Sequence, residues 1–261
     1  MLTLILRSLG RAARPFLAIA AILTAFQAAV VVAAASVGDF AQLAAAVPDF
    51  VRGGLGPGLM SFAGMTTLAY WDPPIRLLVV QFAIYIASEP AADVEGGLVD
   101  LILARPVPRH RVIGRSLLLM TALLVVLVAA MGASTWAALW LWAPQGVVWP
   151  ERRIVLLMMV HLAALAWCFG CMALAAAAMV RRRAAAIGLV SLLSVSLFLI
   201  DILAEFSPTF APYGWLTPFH YFHGSGILRG AADPAIDLAV FGGLGLAATV
   251  VAFWQFNRRD L

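Results

Sequence analysis

Residues 116–141 read SLLLMTALLVVLVAAMGASTWAALWL, a run without a single charged side chain. As an α-helix this stretch extends roughly 39 Å, more than the hydrocarbon core of a bilayer, which is about 30 Å thick. A run this long and this uniformly apolar has no place in the surface helix of a soluble domain, which keeps one polar face. It reads as a membrane span, and the rest of the chain repeats the pattern. Of the 261 residues, 64% are hydrophobic and 11% charged, with a mean hydropathy of +0.99. Soluble domains carry about 25% charged residues, so a water-soluble globular enzyme is excluded, and so is a disordered chain.

Working outward from residues 116–141, further spans are expected at 16–35, 74–88, 154–180, 184–206 and 235–256. The fold class is therefore all-α, a polytopic membrane protein with six transmembrane helices in one domain spanning 1–261. Residues 1–15 predict an interfacial amphipathic helix. Arg7, Arg11 and Arg14 share one face, with Leu2, Ile5, Leu6 and Leu9 on the other. The motif Ala33-Ala34-Ala35-Ser36 resembles a signal-peptidase site, but the apolar run before it exceeds the usual h-region, so an uncleaved first span is expected. Residues 36–73, broken by Pro48, Pro57 and several glycines, are expected as an outer loop or a shallow interfacial helix. Residues 207–234, rich in Pro, Gly and aromatics, are expected as an outer-side segment.

All 17 basic residues are arginine. A P-loop needs a lysine for the β/γ-phosphates, so the chain cannot carry an ordinary Walker A site, and any nucleotide must be bound by another chain. An even number of spans puts both ends on one side, which then holds 12 of the 17 arginines. The positive-inside rule makes that side, and both termini, cytoplasmic. Trp71, Trp140, Trp142, Trp149 and Trp215 fall near the opposite interface as an aromatic belt. The charges form no basic stripe with interleaved aromatics, so nucleic acid is not an expected partner.

One inner loop has content. Residues 89–115 begin with Glu89, Asp93 and Glu95, pass through a short apolar turn at Leu98–Leu103, and end in a Pro-punctuated basic stretch. An apolar turn on the cytoplasmic face needs a partner protein or the membrane to bury against. The run Glu95-Gly96-Gly97-Leu98-Val99-Asp100-Leu101-Ile102-Leu103-Ala104-Arg105-Pro106-Val107-Pro108-Arg109 resembles the segment between the second and third spans of type-2 ABC transporter permeases, with Asp100 where that family often has Glu. Leu216–Phe222 is similar to the family's outer segment before its last span, and Phe256–Leu261 to its basic C-terminal ending.

The resemblance implies the membrane subunit of an ATP-driven exporter in a bacterial inner membrane, itself without enzymatic activity or bound cofactor. It implies two copies of a separate P-loop ATPase, which would hold ATP and magnesium, and a second permease subunit, identical or related. By the same resemblance, residues 89–115 would form a cytoplasmic coupling loop with a coupling helix between the second and third spans, to which Glu95, Gly96 and Pro106 would belong. Leu98, Leu101 and Ile102 would bury against the ATPase, and Asp100, Arg105 and Arg109 would make polar contacts. The transport path would run between facing subunits, lined by the first, second and fifth spans.

Other groupings suggest rival functions. Asp201 and Glu205, at i and i+4 in the fifth span, are intramembrane carboxylates and hence pathway candidates. They would also suit an ion-coupled secondary transporter. His161, Cys168 and Cys171 share a face of the fourth span and could bind a soft metal or do thiol chemistry, although buried apolar packing is the commoner use of such cysteines. His220 and His223 are expected as interfacial residues, and Gly242-Gly243-x-Gly245 as a close helix contact. No H-E-x-x-H or G-x-S-x-G motif is present.

Overall fold

The computed structural model describes residues 2–38, 40, 61–97, 110–230 and 233–258. It is all-α. The helices are α1 (Leu2–Ser36), α2 (Phe62–Trp71), α3 (Pro73–Ala87), α4 (Glu89–Glu95), α5 (His110–Trp142), α6 (Arg152–Met179), α7 (Arg183–Phe206), α8 (Gly224–Arg229) and α9 (Pro234–Arg258), with 3₁₀ turns at Ala211–Leu216 and Pro218–Tyr221. Among the described residues, six helical runs are long and apolar enough to cross a membrane: Ser8–Ser36, Phe62–Glu95, His110–Trp142, Arg152–Met179, Arg183–Phe206 and Pro234–Arg258. The chain is a polytopic α-helical membrane protein.

Two boundaries differ in kind from the sequence expectation. The N-terminal helix is sparsely buried from Ser8 on, consistent with an interfacial helix, but the amphipathic stretch continues into the first span as one 35-residue helix with Pro15 inside it. Proline costs a backbone hydrogen bond, a loss that neighbouring groups in a helical bundle can absorb. The second span begins earlier than Pro74. Residues 62–71, expected to be loop or interfacial helix, form α2, which packs on α1 and α6 and buries Phe62, Thr66, Thr67, Ala69 and Tyr70. The prolines therefore break the helix without ending the run. Asp72 stands before Pro73 with ψ 129, the extended conformation a residue preceding proline prefers, and α3 restarts at once.

The core is built around α6. It packs most extensively against α9 and α3, and also touches α2, α4, α5, α7 and α8. Its side chains Met158, Leu162, Leu165, Phe169, Leu174 and Ala178 are buried. Small residues allow the close approach: a Cβ on Gly245 of α9 would come within 2.3 Å of the Trp167 ring. Polar side chains join helices inside the apolar layer. Tyr70 Oη bonds Thr135 Oγ1 at 2.7 Å, Ser134 Oγ donates to Thr24 O at 2.7 Å, and Gln81 bonds both Ser191 and Ser194 of α7. The outer faces of α1, α7 and α9 stay bare and apolar, with Leu17, Leu192, Phe206 and Val250 all exposed. Such faces suit lipid or a second membrane subunit.

Candidate functional site

Among the described residues, charged side chains gather in two centres, one at each end of the bundle. The first lies at the arginine-rich end, where the second span runs toward residues 98–109. Ser88 separates α3 from α4, and α4 carries Glu89 and Asp93 inward. Asp93 is fully buried and bonds two arginines from different spans. Arg11 Nη2 of α1 donates to its Oδ1 at 2.8 Å, and Arg115 Nη2 of α5 holds its Oδ2. Arg11 Nη2 also lies 2.9 Å from Glu89 Oε2, near enough for Coulombic attraction but at an angle that makes no hydrogen bond. Arg183, the first residue of α7, closes the group. Its Nη2 is 3.7 Å from Glu89 Oε1 and donates to Tyr85 O at 3.0 Å, its Nε donates to Ser88 Oγ at 3.0 Å, and its guanidinium stacks 4.2 Å over the Tyr85 ring.

Three arginines and the carboxylates of α4 thus tie α1, α5 and α7 to one short helix. Burial of single charges here would cost several kcal/mol each, and mutual pairing offsets it. Of the residues expected from the sequence to couple to an ATPase, Glu95 accepts the backbone N–H of Arg183 at 2.9 Å. Gly96 caps α4 by donating to Ala92 O at 3.0 Å, and Gly97 ends the helix with φ +65, a conformation that glycine adopts freely. Leu98, Asp100, Leu101, Ile102, Arg105, Pro106 and Arg109 lie outside the described residues.

The second centre lies at the opposite, aromatic end. A cavity of about 320 Å³ is lined there by Trp71, Arg76, Asp201, Glu205, His220 and His223, among others. Asp201 and Glu205 therefore do come to one place, and Arg76 of α3 joins them. Arg76 is 6% exposed and lies 4.0 Å from Asp201 Oδ2, with its guanidinium over the rings of Phe198 and Phe222. Thr217 Oγ1 donates to Asp201 Oδ1 at 3.3 Å, and His220 Nδ1 is 4.0 Å from the same oxygen. Next to this cavity, His223 Nδ1 is 3.3 Å from Asp237 Oδ1, and the other oxygen of Asp237 is 3.7 Å from His161 Nε2. His161 Nδ1 sits 2.7 Å from Leu157 O, so Nδ1 carries the proton and donates.

His161 thus faces Asp237 and the rings of Phe222 and Phe241, rather than the two cysteines in a ligand set. Cys168 and Cys171 are free thiols packed in the core. Among the described residues no group of three or more His, Cys, Asp or Glu is placed to hold a metal ion. The His220 and His223 rings meet edge to face at the mouth of the cavity, both partly exposed.

Sequence reasoning missed Arg76, Asp93, Arg115 and Asp237 as site residues. A charged residue within a span was the available signal for Arg76 and Asp237. For Asp93 and Arg115 no local signal existed, because both read as ordinary loop charges. Compared with known protein families and with curated proteins, the chain matches none.

Proposed function

We propose that this chain is the permease subunit of an ATP-driven transporter of the type-2 ABC exporter class, coupled through residues 95–109 to a separate P-loop ATPase. Two copies of the ATPase and a second permease subunit complete the unit, which sits in a bacterial inner membrane with the arginine-rich end in the cytoplasm. The permease performs no hydrolysis. It converts closure of the ATPase pair into movement of its spans, and the substrate leaves toward the aromatic end.

The observation that carries this reading is the Asp93 centre. A coupling loop transmits force only if its root is fixed to the helices that must move. The root of this one, α4, is bonded to α1 through Arg11, to α5 through Arg115 and to α7 through Arg183. A push on residues 98–109 would reach its own span directly and three more through ion pairs, of which Asp93–Arg115 is fully buried. The resemblance of Glu95–Arg109 to the family's coupling segment supports the same reading. The bare apolar faces of α1 and α7 suit a second membrane subunit.

The test is purification of the tagged chain in mild detergent from its native host, with identification of co-purifying proteins and an ATP hydrolysis assay. A P-loop ATPase should co-purify with wild type and be lost from the Leu98→Asp, Leu101→Asp double variant. Absence of any ATPase from wild type overturns the proposal. A second reading, an ion-coupled secondary transporter, is favoured by the intramembrane groups Asp201, Asp237 and His161. It requires uptake or efflux in proteoliposomes driven by a proton gradient with ATP absent.

A further inference from the structure

Asp237 stands between two histidines from different parts of the chain. It lies in the first turn of α9 and is 3% exposed. On one side its Oδ1 is 3.3 Å from Nδ1 of His223, the residue before α8, whose side chain is 44% exposed. On the other side its Oδ2 is 3.7 Å from Nε2 of His161, which is fully buried in α6. One carboxylate thus touches a half-exposed imidazole at the cavity mouth and a buried one in the core.

The inner contact is incomplete. Nδ1 of His161 donates to Leu157 O, so a neutral His161 carries only a lone pair on Nε2. Among the described residues that nitrogen is buried and has no hydrogen-bond partner. The group it faces, the Asp237 carboxylate, is also an acceptor. Two acceptors therefore confront each other beside Phe222 and Phe241, whose rings meet the imidazole edge-on. Buried polar atoms in native proteins are nearly always paired. One proton on Nε2 turns this confrontation into a charge-assisted hydrogen bond, which the low dielectric of the interior strengthens. Such a bond is about 2.7–2.9 Å long, so the carboxylate has to move inward by only about 1 Å.

Charge balance favours the same state. A buried carboxylate is costly unless it is neutralised. The N-terminus of α9 offsets part of the cost, and an imidazolium at His161 neutralises the rest inside the core. Other ionisable groups surround the three. Arg76 of α3 lies 5.6 Å from the Phe222 ring, and its charge is compensated by Asp201, Glu205 and Asp72. The His220 ring is 5.3 Å from that of His223 and faces Asp201. Asp233 accepts from Ala235 N at the start of α9, and Arg229 is the last residue of α8. Glu151 and Arg153, at the start of α6, line a separate opening with Leu157.

We propose that His223, Asp237 and His161 form a proton-binding site that takes a proton from the cavity mouth to the core. The proton enters on His223. It passes from His223 Nδ1 to Asp237, breaking that N–H bond and forming a carboxyl O–H. Rotation of the carboxyl group presents the O–H to His161 Nε2, which takes the proton. His223 ends neutral, Asp237 ends as a carboxylate and His161 ends as an imidazolium bonded to it. Proton binding here is independent of what drives transport, so failure of ATPase coupling or of proton-driven transport leaves it untouched.

The test uses the purified full chain in detergent, labelled with ¹⁵N-histidine. Ring-nitrogen NMR signals are followed over roughly pH 5 to 8, the range in which histidine ordinarily changes charge. The chain has four histidines, and His110→Gln, His161→Gln, His220→Gln and His223→Gln assign them. In wild type, Nε2 of His161 should carry a proton at the acid end of the range. In Asp237→Asn the ratio of protonated to neutral His161 at that pH should fall about tenfold or more, because the bond to a charged acceptor is lost. In His223→Gln the proton should still reach Nε2, but its exchange with water should slow about tenfold or more, because the positioned proton donor is gone. A bare lone pair on Nε2 across the whole range overturns the proposal. So does an unchanged ratio in Asp237→Asn, and so does unchanged exchange in His223→Gln. If Asp237→Asn does not fold, the wild-type spectrum and His223→Gln decide alone.

Discussion

Replacing Asp93 by Asn isolates the contribution of one buried carboxylate. Asp93 is fully buried and bonds Arg11 and Arg115, and Arg115 is itself only 3% exposed. The amide keeps the shape and an acceptor but removes the negative charge, leaving the Arg115 guanidinium buried without its counter-ion. Stranding one partner of a buried pair costs about 3–5 kcal/mol. The Arg11 arm adds little, because Arg11 is 35% exposed on its side chain and water screens it. At about 2–4 °C per kcal/mol for a chain of this size, the melting temperature should fall by roughly 6–20 °C.

The assay is thermal unfolding of purified protein in detergent, followed by intrinsic tryptophan fluorescence. The double variant Asp93→Leu, Arg115→Met removes both charges and should recover most of the loss, since apolar residues of similar volume replace such pairs at little cost. A melting temperature for Asp93→Asn within 2 °C of wild type would refute the reasoning. So would a double variant as unstable as the sum of its single changes, because the penalty would then not come from an unpaired charge.

Two further outcomes follow from the packing. Gly245→Ala should lower the melting temperature by roughly 2–12 °C, since its Cβ would displace the Trp167 ring, which is tethered by Nε1 to Thr121 Oγ1 at 3.1 Å, and overpacking costs about 1–3 kcal/mol. Gly243→Ala, with open space around its Cβ, should leave stability unchanged or raise it slightly, and equal losses at both glycines would contradict the placement of α9 on α6. Cys168 and Cys171 are both fully buried, so a maleimide should label neither in the native protein and both after denaturation in SDS, as read by mass. Labelling of the native protein within minutes would show that the centre of α6 is not packed as described.

The apolar spans were legible for one reason. Each is a local property, a run of apolar side chains long enough to cross a bilayer. The i, i+4 pairing of Asp201 with Glu205 was legible on the same ground, because helix periodicity alone puts them on one face. The earlier start of the second span was not. Pro74 read as the start of the span and residues 36–73 as loop or shallow interfacial helix, whereas burial of α2 against α1 and α6 holds a helix on both sides of the break.

What the sequence by itself determined was where the helices long and apolar enough to cross a membrane lie. What only the tertiary structure decided was which charges meet. Arg11, Asp93, Arg115 and Arg183 come from four different spans, and Arg76 reaches Asp201 across the α3–α7 contact. Nothing in the spacing of these residues encodes such pairings. They depend on the order in which the helices pack and on the rotation of each about its own axis. That rotation is set by side-chain volumes on two helices at once, as where Gly245 admits Trp167 and Gly224 admits Trp71. Hydrophobicity sums along a chain and can be read from it. Pairing is a relation between distant parts of the chain and exists only once the bundle has closed.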